Sequence, residues 1–327
     1  MPLLLREAEV RSLLTMEVTL AALDSAFREL AAGRASNQPR RRVTAGATLA
    51  IMSAALPSVG LMGFKAYTVT PAGARFWVAL FDLADGRPRA IIEADWMGAM
   101  RTGAASGLAT RYLARLDAAS LALIGAGHQA LTQVVAVAAV RPLREVRVFS
   151  RSPEHRAGLI DRLRPLLSRS GASVGEITIL EGRTVEEAID GADIVTTITS
   201  AAQPVLRGAW LVAGQHLNVC GSNFPHRREV DTEAVARARR LVADDAAAAR
   251  VEAGDLLLAE KEGRLDWGRV ESLSDVVARS SPVRDPGHIT LFKSVGLAIE
   301  DVATAAAVLE LAERSGAGQG LPEAAGN

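Results

Sequence analysis

Residues 120–140, SLALIGAGHQALTQVVAVAAV, set a short apolar run against Gly125-Ala126-Gly127 and then resume as an alanine- and valine-rich stretch at helical spacing. An apolar run, a glycine turn and a period near 3.6 describe a buried strand feeding directly into a helix. The alternation continues with a helix at 128–140, a strand at 145–150 and a helix at 154–168. That order requires parallel strands joined by a right-handed crossover. Further apolar runs at 194–199, 217–220 and 240–242, with a short helix opened by the Thr184 cap between them, extend the pattern to a doubly wound sheet.

The glycine turn has a physical use. Gly125 permits a tight reversal, Gly127 leaves room for a pyrophosphate, and the N–H groups at the helix start favour an anion. Ala130 stands where a third glycine is usual and is still small enough for helix to meet sheet. The glycines could also be a plain joint, but the strand before and helix after favour a dinucleotide site. The second strand ends in FSRSPEHR, with no carboxylate for the ribose hydroxyls. Ser150, Arg151 and Ser152 offer hydroxyls and a guanidinium to a ribose phosphate, so NADP(H) is the expected cofactor and NAD(H) the alternative; Arg151 can also be read as a solvated loop arginine.

The N-terminal part reads differently. A strand at 1–5 and helices at 7–14 and 17–32 precede a polar loop at 34–42, then strands at 48–54, 61–68 and 74–82 in an antiparallel or mixed sheet. A helix at 96–113 carries the small residues Gly103 to Gly107. Further along, residues 244–260 read as a helix, 290–315 as a long amphipathic helical region and the tail from Gly316 as frayed.

Three stretches set positive charge among small or apolar neighbours: QPRRR, GFKAY and MRTGAAS. Arginine clamps a carboxylate through two parallel bonds, and a lysine such as Lys65, if buried in its strand, has a lowered pKa and transfers a proton more easily. Against this, Arg40 and Arg42 read as solvated loop charges, and Arg101 as the partner of a nearby acid such as Asp95.

Composition narrows the alternatives. A chain of 327 residues suits two domains, and 37 basic against 37 acidic residues give no reason to expect nucleic acid or a membrane as partner. One cysteine excludes an intrachain disulfide, and five scattered histidines have no metal-site spacing, so no metal and a cytoplasmic location are expected. Arg6, Glu7 and Glu9 do not fit a signal peptide, and no run approaches a span of about 20 apolar residues.

Taken in order, PRR, GFKAY, RTGAAS, GAGHQA, HLNVCGSN, REVD, GDLLL and TLFKSVGLAIED resemble the ornithine cyclodeaminase and mu-crystallin family over nearly the whole chain. The resemblance implies an α/β protein with a Rossmann-type doubly wound nucleotide domain at 117–300. It would be inserted in an α+β substrate-binding and dimerisation domain formed by 1–116 and 301–327, in a homodimer. It implies Arg41, Lys65 and Arg101 for the carboxylate of an amino or imino acid, and Gly125, Gly127, His128, Gln129 and Arg151 for the cofactor. Thr197 and Ile198 would lie beside the nicotinamide. Cyclodeaminases end the loop matching CGSN in an aspartate; here Asn223 stands there, and an amide accepts no proton at neutral pH. The expected activity is therefore NAD(P)H-dependent reduction of a small cyclic or linear 2-imino acid to the L-amino acid, with Lys65 and Asn223 catalytic. The alternatives are a short-chain, alanine-like dehydrogenase, an ornithine cyclodeaminase, which Asn223 disfavours, and a non-catalytic crystallin-like binding protein.

Overall fold

A computed structural model describes residues 1–169, 177–280, 285 and 287–322. The chain forms two compact units, one of Met1–Arg101 with Leu297–Asn327 and one of Thr102–Gly296. In chain order, the first unit begins β1 (Leu3–Leu5), α1 (Glu7–Leu13), α2 (Met16–Ala31), β2 (Ser36–Asn37), β3 (Arg41–Ala45), β4 (Ala47–Leu56), β5 (Leu61–Thr70), β6 (Gly73–Asp82) and β7 (Pro88–Glu93), and α3 (Asp95–Leu113) runs on into the second. There follow β8 (Ser120–Ile124), α4 (Ala130–Ala138), β9 (Glu145–Phe149), α5 (Pro153–Arg169), β10 (Thr178–Glu181), α6 (Val185–Ile189), β11 (Ile194–Thr197) and β12 (His216–Val219). The second unit ends with α7 (Thr232–Arg237), β13 (Arg240–Ala243), α8 (Ala246–Glu252), α9 (Gly254–Lys261), β14 (Val270–Ser272), α10 (Leu273–Arg279) and β15 (Thr290–Lys293), and the chain returns to the first through α11 (Ala298–Ser315) and β16 (Gln319–Gly320).

The first unit is a mixed sheet in the order β16-β1-β7-β6-β5-β4-β2, with β3 also on β4. Strand alternation puts Met52, Lys65, Val78 and Ile92 in one cross-strand row on the buried face, where α11 packs, with α2 against α11. The Thr15 side chain caps α2 by accepting from Val18 N, and Leu20, Leu23 and Phe27 form its buried stripe. The opposite face of the sheet exposes Val43, Leu49, Ile51, Met62 and Ile91.

The second unit is an eight-stranded sheet, parallel throughout, in the order β10-β9-β8-β11-β12-β15-β13-β14. From β8 the chain winds first toward β10 and then, from β11, the other way, so the switch point of the topology lies between β8 and β11. Within its core His216 meets Thr290 at 2.9 Å and Asn218 at 3.2 Å, and burial pushes the imidazole pKa down to about 3, so it stays neutral.

The compact units divide after Arg101 and before Leu297, where domain junctions near 116 and 300 are expected from the sequence; three other expectations are corrected. An added Cβ at Gly103 would stand 2.4 Å from Thr132 O, so the small residues of the later part of α3 let it lie directly on α4. The polar loop expected at 34–42 contains β2 and gives way to β3 at Arg41. TLFK is the buried strand β15, because so short a run fits a parallel strand as well as a helix. The tail does not fray at once: Gly316 closes α11 in the left-handed conformation, and β16 pairs antiparallel with β1, while residues 323–327 lie outside the described residues. No helix among the described residues is long and apolar enough to cross a membrane.

Candidate active site

Lys65 and Arg101, separate in sequence, converge on one atom. Lys65 Nζ donates to Asp301 Oδ1 at 2.9 Å and Arg101 Nε to the same oxygen at 3.1 Å, while Arg101 Nη1 donates to Glu300 Oε2 at 2.7 Å. All four side chains are buried. Glu300 and Asp301 lie in the first turn of α11, whose N-terminal dipole favours carboxylates; Asn37 Oδ1 accepts from Ile299 N at 3.0 Å and fixes that helix start. Tyr67 and Phe76 pair across the strands on Lys65's face, with the ammonium 5.2 Å from the Phe76 ring and 6.0 Å from that of Tyr67. Trp77, one residue on, faces the other side.

Burial disfavours the Lys65 ammonium and, although Asp301 supports it, the Arg101 charge adds to the loss, bringing its pKa down to about 8. For Asp301 burial works in the opposite direction but is overcome by Arg101 and Lys65, which hold the carboxyl below its ordinary range. The site is thus ionised near neutrality, with one group poised to titrate just above it.

Arg41 is a correction. Its cross-strand row is Ile51, Ala66 and Trp77, on the face opposite Lys65. Among the loop arginines, the one whose charge bears on both Lys65 and Asp301 is Arg40. Between the pairs Asn37–Ala54 and Arg41–Ile51, three residues oppose two, so a β-bulge interrupts the strand at Gln38–Arg40 and re-aims its side chains. Arg101 pairs with Glu300 and Asp301. The two acids lie inside TLFKSVGLAIED but had been given no role; their position just after a glycine, at a helix start, was the available signal.

In the second unit the Gly125-Ala126-Gly127 turn joins β8 to the start of α4. Gly125 has φ +115°, and an added Cβ there would stand 2.4 Å from Ile198 O; at Gly127 an added Cβ would meet nothing within 4 Å. Gly127 and His128 are exposed, Gln129 precedes α4, and Ala130 is fully buried where helix meets sheet. Thr197 ends β11 across the switch point and Ile198 follows it, and Thr197 Oγ1 is a buried hydroxyl without a hydrogen-bond partner. An open space over Gly127, a helix start behind it and an orphaned hydroxyl at the next strand end fit a dinucleotide laid across the strand ends.

After β9, Arg151 is exposed, Ser150 O accepts from Arg156 at 2.8 Å, and Ser152 Oγ donates to Glu154 at 2.8 Å. Asn223 follows β12, with Nδ2 3.5 Å from Val295 O. His226 and Arg227 stand close by, Arg227 lying 5.3 Å over the Phe224 ring.

Sequence and fold agree on the class. The chain belongs to the ornithine cyclodeaminase/mu-crystallin family, which it matches over residues 1–316. It is 31% identical to the Delta(1)-pyrroline-2-carboxylate reductase of Bacillus cereus over 95% of this chain and 97% of that one, and 30% identical to the iminosuccinate reductase of Paracoccus denitrificans over 97% and 98%. Among solved structures, Thermococcus litoralis Delta(1)-pyrroline-2-carboxylate reductase in complex with NADH and L-proline superposes with a TM-score of 0.91 at 32% identity, covering 98% of this chain and 100% of that one. An archaeal alanine dehydrogenase dimer with bound NAD gives 0.88 at 29%, covering 97% and 98%. A nicotinamide dinucleotide is the cofactor that these relatives and the Gly125 turn support.

Proposed function

We propose that this protein reduces a small 2-imino acid to the corresponding L-amino acid with a nicotinamide dinucleotide as reductant. The observation that carries the reading is the shared grip of Lys65 and Arg101 on Asp301, a buried cationic pair held ready for a carboxylate, in a chain similar to imino-acid reductases. When bound, the dinucleotide supplies the hydride for the imine carbon. Gly125, Gly127, His128 and Gln129 hold its phosphates, with Thr197 and Ile198 beside the nicotinamide. Arg101 and Lys65 bind the substrate carboxylate, with Arg40 in place of Arg41 as the third cation. An ammonium has three donors, and Lys65, with one on Asp301, keeps others for the carboxylate and for the proton the imine nitrogen takes up. Asn223 orients that nitrogen or a water. An iminium already carries positive charge at the reacting centre, so alignment and charge suffice without a strong general acid.

The test is to incubate the protein with NADH or NADPH and a panel of five- and six-membered cyclic 2-imino acids, iminosuccinate, and 2-oxo acids with ammonia. Loss of the reduced-nicotinamide absorbance with imino acids is expected. Turnover only of 2-oxo acids with ammonia would make it an amino-acid dehydrogenase, proline formation from ornithine without net cofactor turnover would make it a cyclodeaminase, and no turnover of any kind would leave a binding protein.

Two features bear on the dinucleotide. Arg151 favours NADP(H); the Ser152–Glu154 bond brings a carboxylate to the same loop and favours NAD(H). If the phosphorylated form is used, Arg151→Ala raises KM for NADPH about tenfold and leaves KM for NADH unchanged, as loss of a charge-assisted hydrogen bond requires. Equal KM values before and after the change would return Arg151 to the role of solvated loop residue.

The exposed apolar face of Val43, Leu49, Ile51, Met62 and Ile91 supports a homodimer in which a second copy covers it. Light scattering is expected to give twice the mass of one chain, and Ile51→Lys together with Met62→Lys to halve it. A wild-type monomer would contradict this.

A further inference from the structure

Three motifs of the second unit, REVD, GDLLL and TLFK, contribute buried charges that the reaction outlined above does not use: Glu229, Asp255 and Lys293. Lys293 Nζ lies 2.8 Å from Asp255 Oδ2 and donates to Ser222 O at 2.8 Å. Asp255 Oδ1 accepts from Glu229 N at 2.6 Å and Val230 N at 3.1 Å. Glu229 spreads its own carboxylate over two loops: Oε1 accepts from Thr199 N at 2.6 Å and Thr199 Oγ1 at 2.8 Å, and Oε2 from Gly221 N at 2.6 Å. The fit leaves no slack, since an added Cβ at Gly221 would stand 2.4 Å from Glu229 Oε1 and 2.2 Å from Thr199 O.

Thr199 follows β11, Gly221 to Asn223 follow β12, and Lys293 ends β15. These are carboxyl ends of neighbouring parallel strands, where backbone N–H and C=O groups have left the ladder and need partners. A buried set of three charges is a poor source of stability compared with packed apolar residues. What it supplies is directional bonding to loop backbone at chosen points, and one of those points, Ser222 O, is the carbonyl directly before Asn223.

We propose that Lys293, held by Asp255, is a positioning residue that, together with the Glu229 carboxylate on Gly221 N, sets the Gly221–Asn223 loop so that the Asn223 amide meets the reacting nitrogen. The inference rests on the functional reading above, in which Asn223 orients that nitrogen. Misplacing a reacting partner by about 1 Å costs on the order of 10²-fold in rate. Loss of the Lys293 bond therefore acts on kcat, while the phosphate turn at Gly125 and Gly127, on a different strand end, keeps its grip on the dinucleotide.

The test is a double-mutant cycle on the full-length protein with Lys293→Met, Asn223→Ala and the pair, reading thermal unfolding, the Kd for NADH and steady-state kcat and KM with the best imino acid of the panel. Lys293→Met is expected to lower kcat roughly 10- to 100-fold with the NADH Kd within about threefold of wild type, and Asn223→Ala to add almost nothing in its presence. Losses that multiply would overturn the proposal while leaving the function intact. A wild type that binds NADH but turns over no imino acid would overturn the function and the proposal with it. Should Lys293→Met not fold, Glu229→Gln, which keeps the shape but replaces one acceptor oxygen by an amide NH2, takes its place in the same cycle, with the same expectation and the same contrary result.

Discussion

Lys65→Met is expected to lower kcat/KM for the imino acid by about 10²- to 10⁴-fold, the range associated with a lost proton donor, and the loss compounds with weaker carboxylate binding. In the wild type the reductive rate should fall as pH rises through about 8, because the form that binds carboxylate and gives up a proton is the ammonium, and burial has brought its pKa to that value. Asp301 supports the ammonium, so Asp301→Asn should move this limb to lower pH while leaving a neutral acceptor near Lys65 and Arg101. The more drastic Asp301→Ala strips the counter-ion from buried Lys65 and leaves Arg101 with Glu300, and is expected to cost about 3–5 kcal/mol of stability. Rate against pH for the wild type and Asp301→Asn, with thermal melts of both aspartate variants, measures all of this. An unmoved limb would mean that Lys65 is not the titrating group.

The glycine turn yields the second large effect, and its two glycines should respond in opposite ways. At Gly127 there is open space and no left-handed backbone, so Gly127→Leu should fold with a melting temperature near wild type and yet lose dinucleotide binding by about 10²-fold or more, its side chain occupying the room the pyrophosphate needs. At Gly125 the backbone is left-handed and a methyl group would run into Ile198 O, so Gly125→Ala should lose stability, by roughly 1–3 kcal/mol for the backbone strain alone. Calorimetry and NADH fluorescence titration on both variants separate the cases. Unaltered NADH affinity in Gly127→Leu would remove the phosphate from this turn.

Much of the second unit could be read from the chain because the information is local. The run SLALI, the Gly125 turn and the alanine-rich helix each declare themselves within a few residues, and a parallel sheet follows from their order. Lys65 and Arg101 stand out in the sequence as charge among small residues, but their spacing does not show that they converge. Nor was their counter-ion legible, since Asp301 is 236 residues from Lys65 and only the return of α11 to the first sheet joins them. The choice among Arg40, Arg41 and Arg42 turns on strand parity, and the bulge at Gln38–Arg40 inverts the parity that counting along the chain would assign. TLFK misled for a different reason. A four-residue run with only Leu291 and Phe292 apolar carries too little pattern to separate a strand from the start of the helix that follows.

The most direct measurement is isotopic. The protein is given reduced nicotinamide dinucleotide deuterated at the transferable position together with a cyclic 2-imino acid, and the amino acid formed is examined by mass spectrometry and NMR. One deuterium per molecule, bound to the α-carbon and of a single configuration, is the outcome these residues are built to produce. Product without deuterium at that carbon, or no product while the dinucleotide remains bound, would contradict it.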